Sequence, residues 1–417
     1  MTNSFQKKRS TVPFLTMFTV LFFWPTYLIP ASDFVAQKSF YFIMPFISIL
    51  VVYVYARRLI IPFESVLFLI FYPLLIHVFL NNLIYADGQK IFLLIKPLFN
   101  LMVFIAAVNC SVHYVSSRDS QLMNKGINII YLLLLLSIFI QYIHPPFFLL
   151  LFFNASDIST PVGNRAPGTF EWVYATCSVL GFYLVYCVTK VFVYRKYLYV
   201  FPILITLVAV FISQSKVGYV STIFVVAYLG FLLLIFRVKG AKTLLLCMCS
   251  IFVSGIALIV FSGVELTHIT LFFDYLTGEG KIDGSTLTRL RQANLAIDTG
   301  VDFWFTGKPG SYNIVIENAY LDYIYRYALF GFVTLAFFIL TLVGITFLTV
   351  KNNLFKSIHC STSMSMLMSS HITLVSMVLY ALAGSPFDGY KISFFIALLF
   401  GFLIGYQKRF YRNSFGA

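Results

Sequence analysis

The chain predicts an all-α integral membrane protein with about 12 transmembrane helices, and three observations carry that prediction. Hydrophobic residues make up 60% of the 417 and charged ones only 11%, against about 25% charged in a soluble domain. Mean hydropathy is +0.90. The apolar runs are continuous, as helices spanning hydrocarbon require, and lack the alternation of a barrel strand. Lysine and arginine concentrate in alternate loops, as the positive-inside rule demands.

The elements follow in order. Lys7-Lys8-Arg9 precede Pro13–Leu28 with no small-residue cleavage site, so this run reads as a retained first span. Phe40–Tyr55 stops at Arg57-Arg58; Pro62–Leu80 and Ile91–Val108 follow, the latter carrying Lys96. Ile127–Ile143 comes after Arg118 and Lys125, and Thr169–Val188 ends before Lys190, Arg195 and Lys196. Tyr197–Ile212 and Tyr219–Phe236 are joined by a very short turn, and Thr243–Phe261 follows Arg237, Lys239 and Lys242. Ala319–Val350 is too long for one span, so its first turns, Glu317–Tyr327, are expected at the interface or tilted. Ser365–Ala383 and Ile392–Tyr406 complete the set before a basic tail.

With the N-terminus inside, 18 of the 29 basic residues fall in inner loops and tails. Nine fall outside (Lys38, Lys90, Arg165, Lys216, Lys281, Arg289, Arg291, Lys308 and Lys391), while Lys96 and Arg326 sit within apolar segments. Both termini are therefore expected in the cytoplasm. The net charge of +14 reads as topology, not as a nucleic-acid footprint. The six cysteines fall in spans or at cytoplasmic ends, so no disulfide framework is expected in the outer loops. The chain reads as one polytopic domain with two long outer loops, 144–168 and 263–317.

The larger loop, between the ninth and tenth spans, is the natural place for chemistry. Ser285 after Asp283-Gly284 is a good N-cap, predicting a helix to Gly300 with one apolar stripe of Leu287, Leu290, Ala293 and Ile297. Arg289 and Arg291 lie about 200° apart on such a helix and point to different sides. No nucleotide, metalloprotease or hydrolase motif is present, and the histidines lack metal-ligand spacing. His268 is the one histidine in this loop. What the outer side does hold is a set of cations beside spans: Arg165, Lys216, Arg289, Arg291, Lys308 and Arg326. Guanidinium and ammonium groups at that height suit an anionic headgroup. The carboxylates Glu171, Asp274, Asp283, Glu317 and Asp322 share that side, and Trp304 with the tyrosines reads as an interfacial aromatic belt.

Three ordered patterns then stand out. Asn164-Arg165-Ala166-Pro167-Gly168 leads into the sixth span, and Ser215-Lys216-Val217-Gly218 makes the short turn. Arg289 is followed by Ala296-Ile297, Gly307-Lys308-Pro309-Gly310 and Glu317-Asn318-Ala319-Tyr320-Leu321, ending at Gly331. In this order the set resembles the O-antigen polymerase and ligase family, over most of the chain as architecture and some twenty positions as motif. Lys216 stands where that family more often has arginine, and Lys308-Pro309 lengthens its Gly-x-Gly. Glu317 occupies the place where the ligases tend to carry histidine, which favours a polymerase.

The resemblance implies a GT-C-like multi-pass enzyme of the bacterial inner membrane with its active site facing the periplasm. Its substrate would be an undecaprenyl-diphosphate-linked oligosaccharide, with membrane lipid around it and a polysaccharide chain-length regulator as a further partner. Arg165 and Arg289 would hold the diphosphate, helped by Lys216, Arg291 or Arg326. Glu317 would be the general base, with Glu171 and Asp283 as second choices. Lys308, Asn318 and Tyr320 would belong to the substrate-binding set. No divalent-metal set of carboxylates is visible, so no metal or other cofactor is expected. The alternatives are an O-antigen ligase acting on lipid A core and, in a different class, a lipid-linked-oligosaccharide flippase. A flippase would show cations inside several helices facing one cavity.

Overall fold

The computed structural model describes residues 11–24, 33–55, 59–84, 92–112, 117–143, 166, 168–170, 173–213, 215–238, 240–247, 284–304, 316–357, 360–387 and 389–414. Every regular element among them is helical. The helices are α1 (Thr11–Phe23), α2 (Asp33–Tyr55), α3 (Tyr72–Ile84), α4 (Phe92–Val112), α5 (Ser117–Ile143) and α6 (Val173–Phe192). Then come α7 (Val200–Ile212), α8 (Lys216–Ile235), α9 (Gly284–Asp302), α10 (Ala319–Ser357), α11 (Ser361–Tyr380) and α12 (Tyr390–Ser414). A 3-10 turn at Phe63–Leu69 precedes α3, and residues 241–247 are helical.

Seven of these helices are long and apolar enough to cross a membrane: α4, α5, α6, α8, α10, α11 and α12. Four shorter apolar helices accompany them, at Thr11–Phe23, Phe42–Val54, Phe63–His77 and Tyr197–Ile212. Most of the expected span at Thr243–Phe261 lies outside the described residues. Helix is the natural outcome, because an apolar chain out of water must satisfy each backbone N–H and C=O within its own segment.

Burial separates centre from rim. The spans of α6, α12 and α11 are 94%, 89% and 83% buried, while α10 and α5 are 33% and 39% buried. Helices α6, α11 and α12 form the heart of the bundle, and α5 and α10 turn much of their surface outward. Close approach comes from small residues: a Cβ at Gly401 of α12 would lie 2.6 Å from the Phe104 carbonyl oxygen of α4, and one at Gly405 would collide with that of Val108. Such contacts let backbones meet where burial from lipid gives no hydrophobic gain. Aromatic rings fill the remaining volume, as where Phe22 meets Tyr131, Phe170 and Phe395 edge-on.

Two ends of the bundle are defined by polar contacts. At one, Thr11 donates to the Asp119 carbonyl, Lys190 reaches Asn124 and Thr362, and Ser357 meets Tyr406. At the other, Lys391 reaches the carbonyls of Phe22 and Thr169, and the Ala319 amide donates to the Ala381 carbonyl. Lys190 and Lys391, counted in sequence with the loop cations, are thus helical and buried, 1% and 3% exposed. Each ammonium is tolerated because carbonyl, amide or hydroxyl oxygens accept from it at its helix end.

The long segment at Ala319 is not one helix. As a continuous rod its 39 residues would span about 58 Å, nearly twice the hydrocarbon thickness. It breaks at Ala328, whose φ of 53° and ψ of −149° are non-helical. The division falls directly after the Glu317–Tyr327 stretch that sequence length sets apart.

Candidate functional site

The start of α10 is a constructed helix N-terminus. Asn318 caps it: Oδ1 accepts from the backbone N–H groups of Tyr320 at 2.9 Å and Leu321 at 3.2 Å, which otherwise lack intrahelical partners. Tyr320 Oη donates to the Val378 carbonyl at 3.0 Å, and the Ala319 amide to that of Ala381 at 2.8 Å. Both bonds fasten α10 to the last turn of α11. Glu317 and Asp322 flank this terminus, where the helix dipole favours negative charge.

Helix α9 supplies the cation. Arg289 Nε donates to Glu317 Oε2 at 3.0 Å, and Gln292, one turn later, accepts from the Glu317 backbone N–H at 3.1 Å. The two arms grip one residue from both side chain and backbone. Below them Ala296 packs with Ile316 and Tyr325, partly covered by Leu295 and Leu321. Gly300 comes so close that an added Cβ would lie 2.7 Å from Ile324 Cγ2. Farther on, the Leu329 N–H, just past the helix break, donates to the Trp304 carbonyl at 3.3 Å.

The packed face of α9 is therefore Arg289, Gln292, Ala296 and Gly300, spaced by three and four residues. The apolar stripe expected from sequence points elsewhere: Leu290 is 42% and Ile297 52% exposed. Arg291 is also exposed and takes no part in the contact with Glu317, in keeping with the angle separating it from Arg289. The pair itself is open, its side chains 40% and 41% exposed. The guanidinium meets Glu317 through Nε.

The remaining candidates divide into three groups. Asn318 and Tyr320 sit beside Glu317 in fastening roles. Arg326 is turned inward, its Nε 2.7 Å from Asp322 Oδ1, with side chains 18% and 7% exposed. Lys216 opens α8 with Ser215 as its N-cap, but its side chain lies outside the described residues, as do Arg165, Glu171, Lys308, His268, Asp274 and Asp283. The residues just after Arg165 do reach this end of the bundle. Gly168 donates its N–H to Gln141 Oε1 at 2.6 Å, and Thr169 gives its carbonyl to Lys391. The Tyr174 ring meets that of Tyr380, tilted and 5.1 Å away, on the same α11 turn that holds α10.

One residue was missed as site material by sequence reasoning: Gln292, which could have been found from its place one turn after Arg289 on the small-residue face. Among the described residues no group of three or more His, Cys, Asp or Glu could hold a metal ion. The arrangement presents a guanidinium and a carboxylate in contact at one end of an apolar bundle, chemistry suited to holding an anion and accepting a proton beside it. No protein-family model matches the chain, and no curated protein matches it.

Proposed function

We propose that the chain is a membrane glycosyltransferase of the bacterial inner membrane, an O-antigen polymerase acting on undecaprenyl-diphosphate-linked repeat units. In this reading the chain crosses the membrane twelve times, both termini are cytoplasmic, and the Arg289–Glu317 centre faces the periplasm. The growing glycan is transferred from one lipid carrier to a sugar hydroxyl of an incoming unit. The observation that carries the reading is the contact between Arg289 and Glu317, two residues 28 positions apart that the ordered motifs single out together.

The chemistry is economical. Outside the inner membrane no nucleotide sugar is at hand, so the energy comes with the donor's sugar–phosphate bond. The acceptor hydroxyl oxygen bonds to the anomeric carbon, and the bond from that carbon to the phosphate oxygen breaks. Its electron pair leaves with the lipid diphosphate, and the hydroxyl proton passes to Glu317. Arg289 offers its terminal nitrogens to the departing phosphate while Nε keeps Glu317 in place; Arg165 is its partner in holding the diphosphate. Fixed positive charge where negative charge develops is worth about 3–4 kcal/mol per donor.

A transporter would need cations lining one passage. Among the described residues the buried lysines share no one passage: Lys190 lies at one end of the bundle, Lys391 at the other, and Lys96 within α4. The test is an assay of purified protein with a synthetic diphospholipid-linked repeat. Banded polymer on a gel is the expected product, and its absence in every condition that preserves the fold would remove the proposal. Deleting the gene separates the ligase alternative: a lost polymerase leaves single repeat units on lipopolysaccharide, a lost ligase leaves none.

A further inference from the structure

Lys391 is a buried cation that the transfer chemistry leaves unused, and what it holds is the segment that follows Arg165. Its ammonium donates to the Thr169 carbonyl at 2.6 Å and to the Phe22 carbonyl at 3.4 Å, and lies 5.6 Å from the centre of the Phe170 ring. Phe22 stands in the last turn of α1, where carbonyls lack intrahelical partners and a cation is favoured. One residue before Thr169, Gly168 adopts a φ of +65° and gives its N–H to Gln141 Oε1 at 2.6 Å. A Cβ there would lie 2.7 Å from Ile138 Cγ1. Two helices, α5 and α12, thus each send one side chain to hold two consecutive residues of a segment buried at Ala166, Thr169 and Phe170.

Arg165 itself lies outside the described residues, but it precedes Ala166 directly, and the chain from it to Thr169 spans at most about 14 Å. Fixing Gly168 and Thr169 therefore confines the place where Arg165 leaves the bundle. The frame that does so also carries the other half of the site. Tyr174, at the start of α6, meets Tyr380, and the same end of α11 takes the Ala319 N–H and the Tyr320 hydroxyl at the carbonyls of Ala381 and Val378. Gly384 permits the meeting, since an added Cβ would lie 2.7 Å from the Tyr380 ring and 2.8 Å from that of Tyr174. A junction selected for stability alone would satisfy its donors, yet Gln141 Nε2 and Thr169 Oγ1 are buried without hydrogen-bond partners. A buried charge is also a poor source of stability beside a well-packed apolar side chain. What the ammonium does, and an apolar side chain cannot, is fix the position of a carbonyl.

We propose that Lys391 is a positioning residue for the transfer reaction. By holding the Thr169 carbonyl, while Gln141 holds the Gly168 N–H, it sets where Arg165 stands relative to the Arg289–Glu317 pair. The inference rests on the transferase reading, in which Arg165 and Arg289 share the diphosphate. Lys391 touches neither the substrate nor the reacting atoms and acts through the backbone between Thr169 and Arg165. Its leverage is large, because a misplacement of about 1 Å in a group that binds the reacting centre costs about a hundredfold in rate.

The experiment measures polymer formation by the full-length protein on a synthetic diphospholipid-linked repeat, beside amide hydrogen exchange across residues 166–170 in the same preparations. Lys391→Met is expected to lower the rate about ten- to a hundredfold and to speed exchange at Gly168. Lys391→Arg, which keeps the charge and the donors, should restore most of both and so exclude misfolding as the cause. Gln141→Leu, with Lys391 in place, should act in the same direction. The decisive comparison is made in Arg165→Ala: adding Lys391→Met should cost little more, because a residue that acts through Arg165 then has nothing left to position. Losses that multiply in the double variant would overturn the proposal and make Lys391 a general support of the fold. Polymer from the wild type with an unaffected Lys391→Met would sink this role alone and leave the transferase reading standing. No polymer from the wild type would sink that reading and this role together, while faster exchange in Lys391→Met would still establish the anchor.

Discussion

Glu317 is reached twice from a single turn of α9, by Arg289 through its side chain and by Gln292 through its backbone. Because the ion pair is about 40% exposed on each side, its contribution to stability is small, below about 1 kcal/mol. Its value for transition-state charge is far larger. Arg289→Ala should therefore lower polymer formation about a hundred- to a thousandfold while leaving the thermal midpoint nearly unchanged, and Glu317→Gln about 10²–10⁴-fold as the loss of a general base. The matching measurement is the polymerisation rate set beside a melting curve for each variant. Arg326 belongs to the opposite regime. Its bond to Asp322 lies among side chains 18% and 7% exposed, so Arg326→Ala leaves a buried carboxylate with one charged donor fewer. A loss of about 1.5–3 kcal/mol is expected, seen as a lowered midpoint before any kinetic reading is made. A melt unchanged by Arg326→Ala would return Arg326 to the substrate-binding set.

At the scale of elements, α9 shows what periodicity can and cannot disclose. A helix beginning near Ser285 and closing near Gly300 was legible from the cap and the glycine, and α9 runs from Gly284 to Asp302. Its orientation was not. Leu287, Leu290 and Ile297 form the most apolar stripe, yet the face applied to α10 is marked by Ala296 and Gly300. The close approach of α9 to Ile324 and Tyr325 leaves room only for small residues at the contact, and Ala296 and Gly300 supply them. Gly300→Val should then wedge α9 off Ile324, carry Arg289 away from Glu317 and cut polymer formation at least tenfold. Gly344→Ala on α10, where an added Cβ meets nothing within 4 Å, should leave it intact. Polymer assays on the two variants, each first shown to be folded, decide the matter. The Ala328 break was readable only from excess length, since neither proline nor glycine stands at that position.

For the whole molecule, the all-helical membrane class was legible because 60% hydrophobic content and continuous apolar runs leave few other ways to satisfy the backbone. Burial of Lys190 and Lys391 was not, because a cation at the edge of an apolar run reads equally as a loop residue or a capped, buried one. Sidedness can be argued from both sources. Thr11, the start of α5, the end of α6 and the start of α11 meet at one end of the bundle, where the end of α10 also touches α12 near Tyr406. The first and last helices therefore have their outer termini at the same end, as an even number of crossings requires. That end also adjoins Arg195, Lys196, Lys351 and Lys408, and in the proposed topology it is the one that faces the cytoplasm. Fluorescent-protein fusions at the C-terminus should accordingly glow in cells, and alkaline phosphatase inserted within residues 281–283 should be active. A dark C-terminal fusion together with an inactive phosphatase would reverse the orientation. Arg289 and Glu317 would then lie on the face where lipid-linked repeats are built, not polymerised, and the proposed reaction would lose its setting.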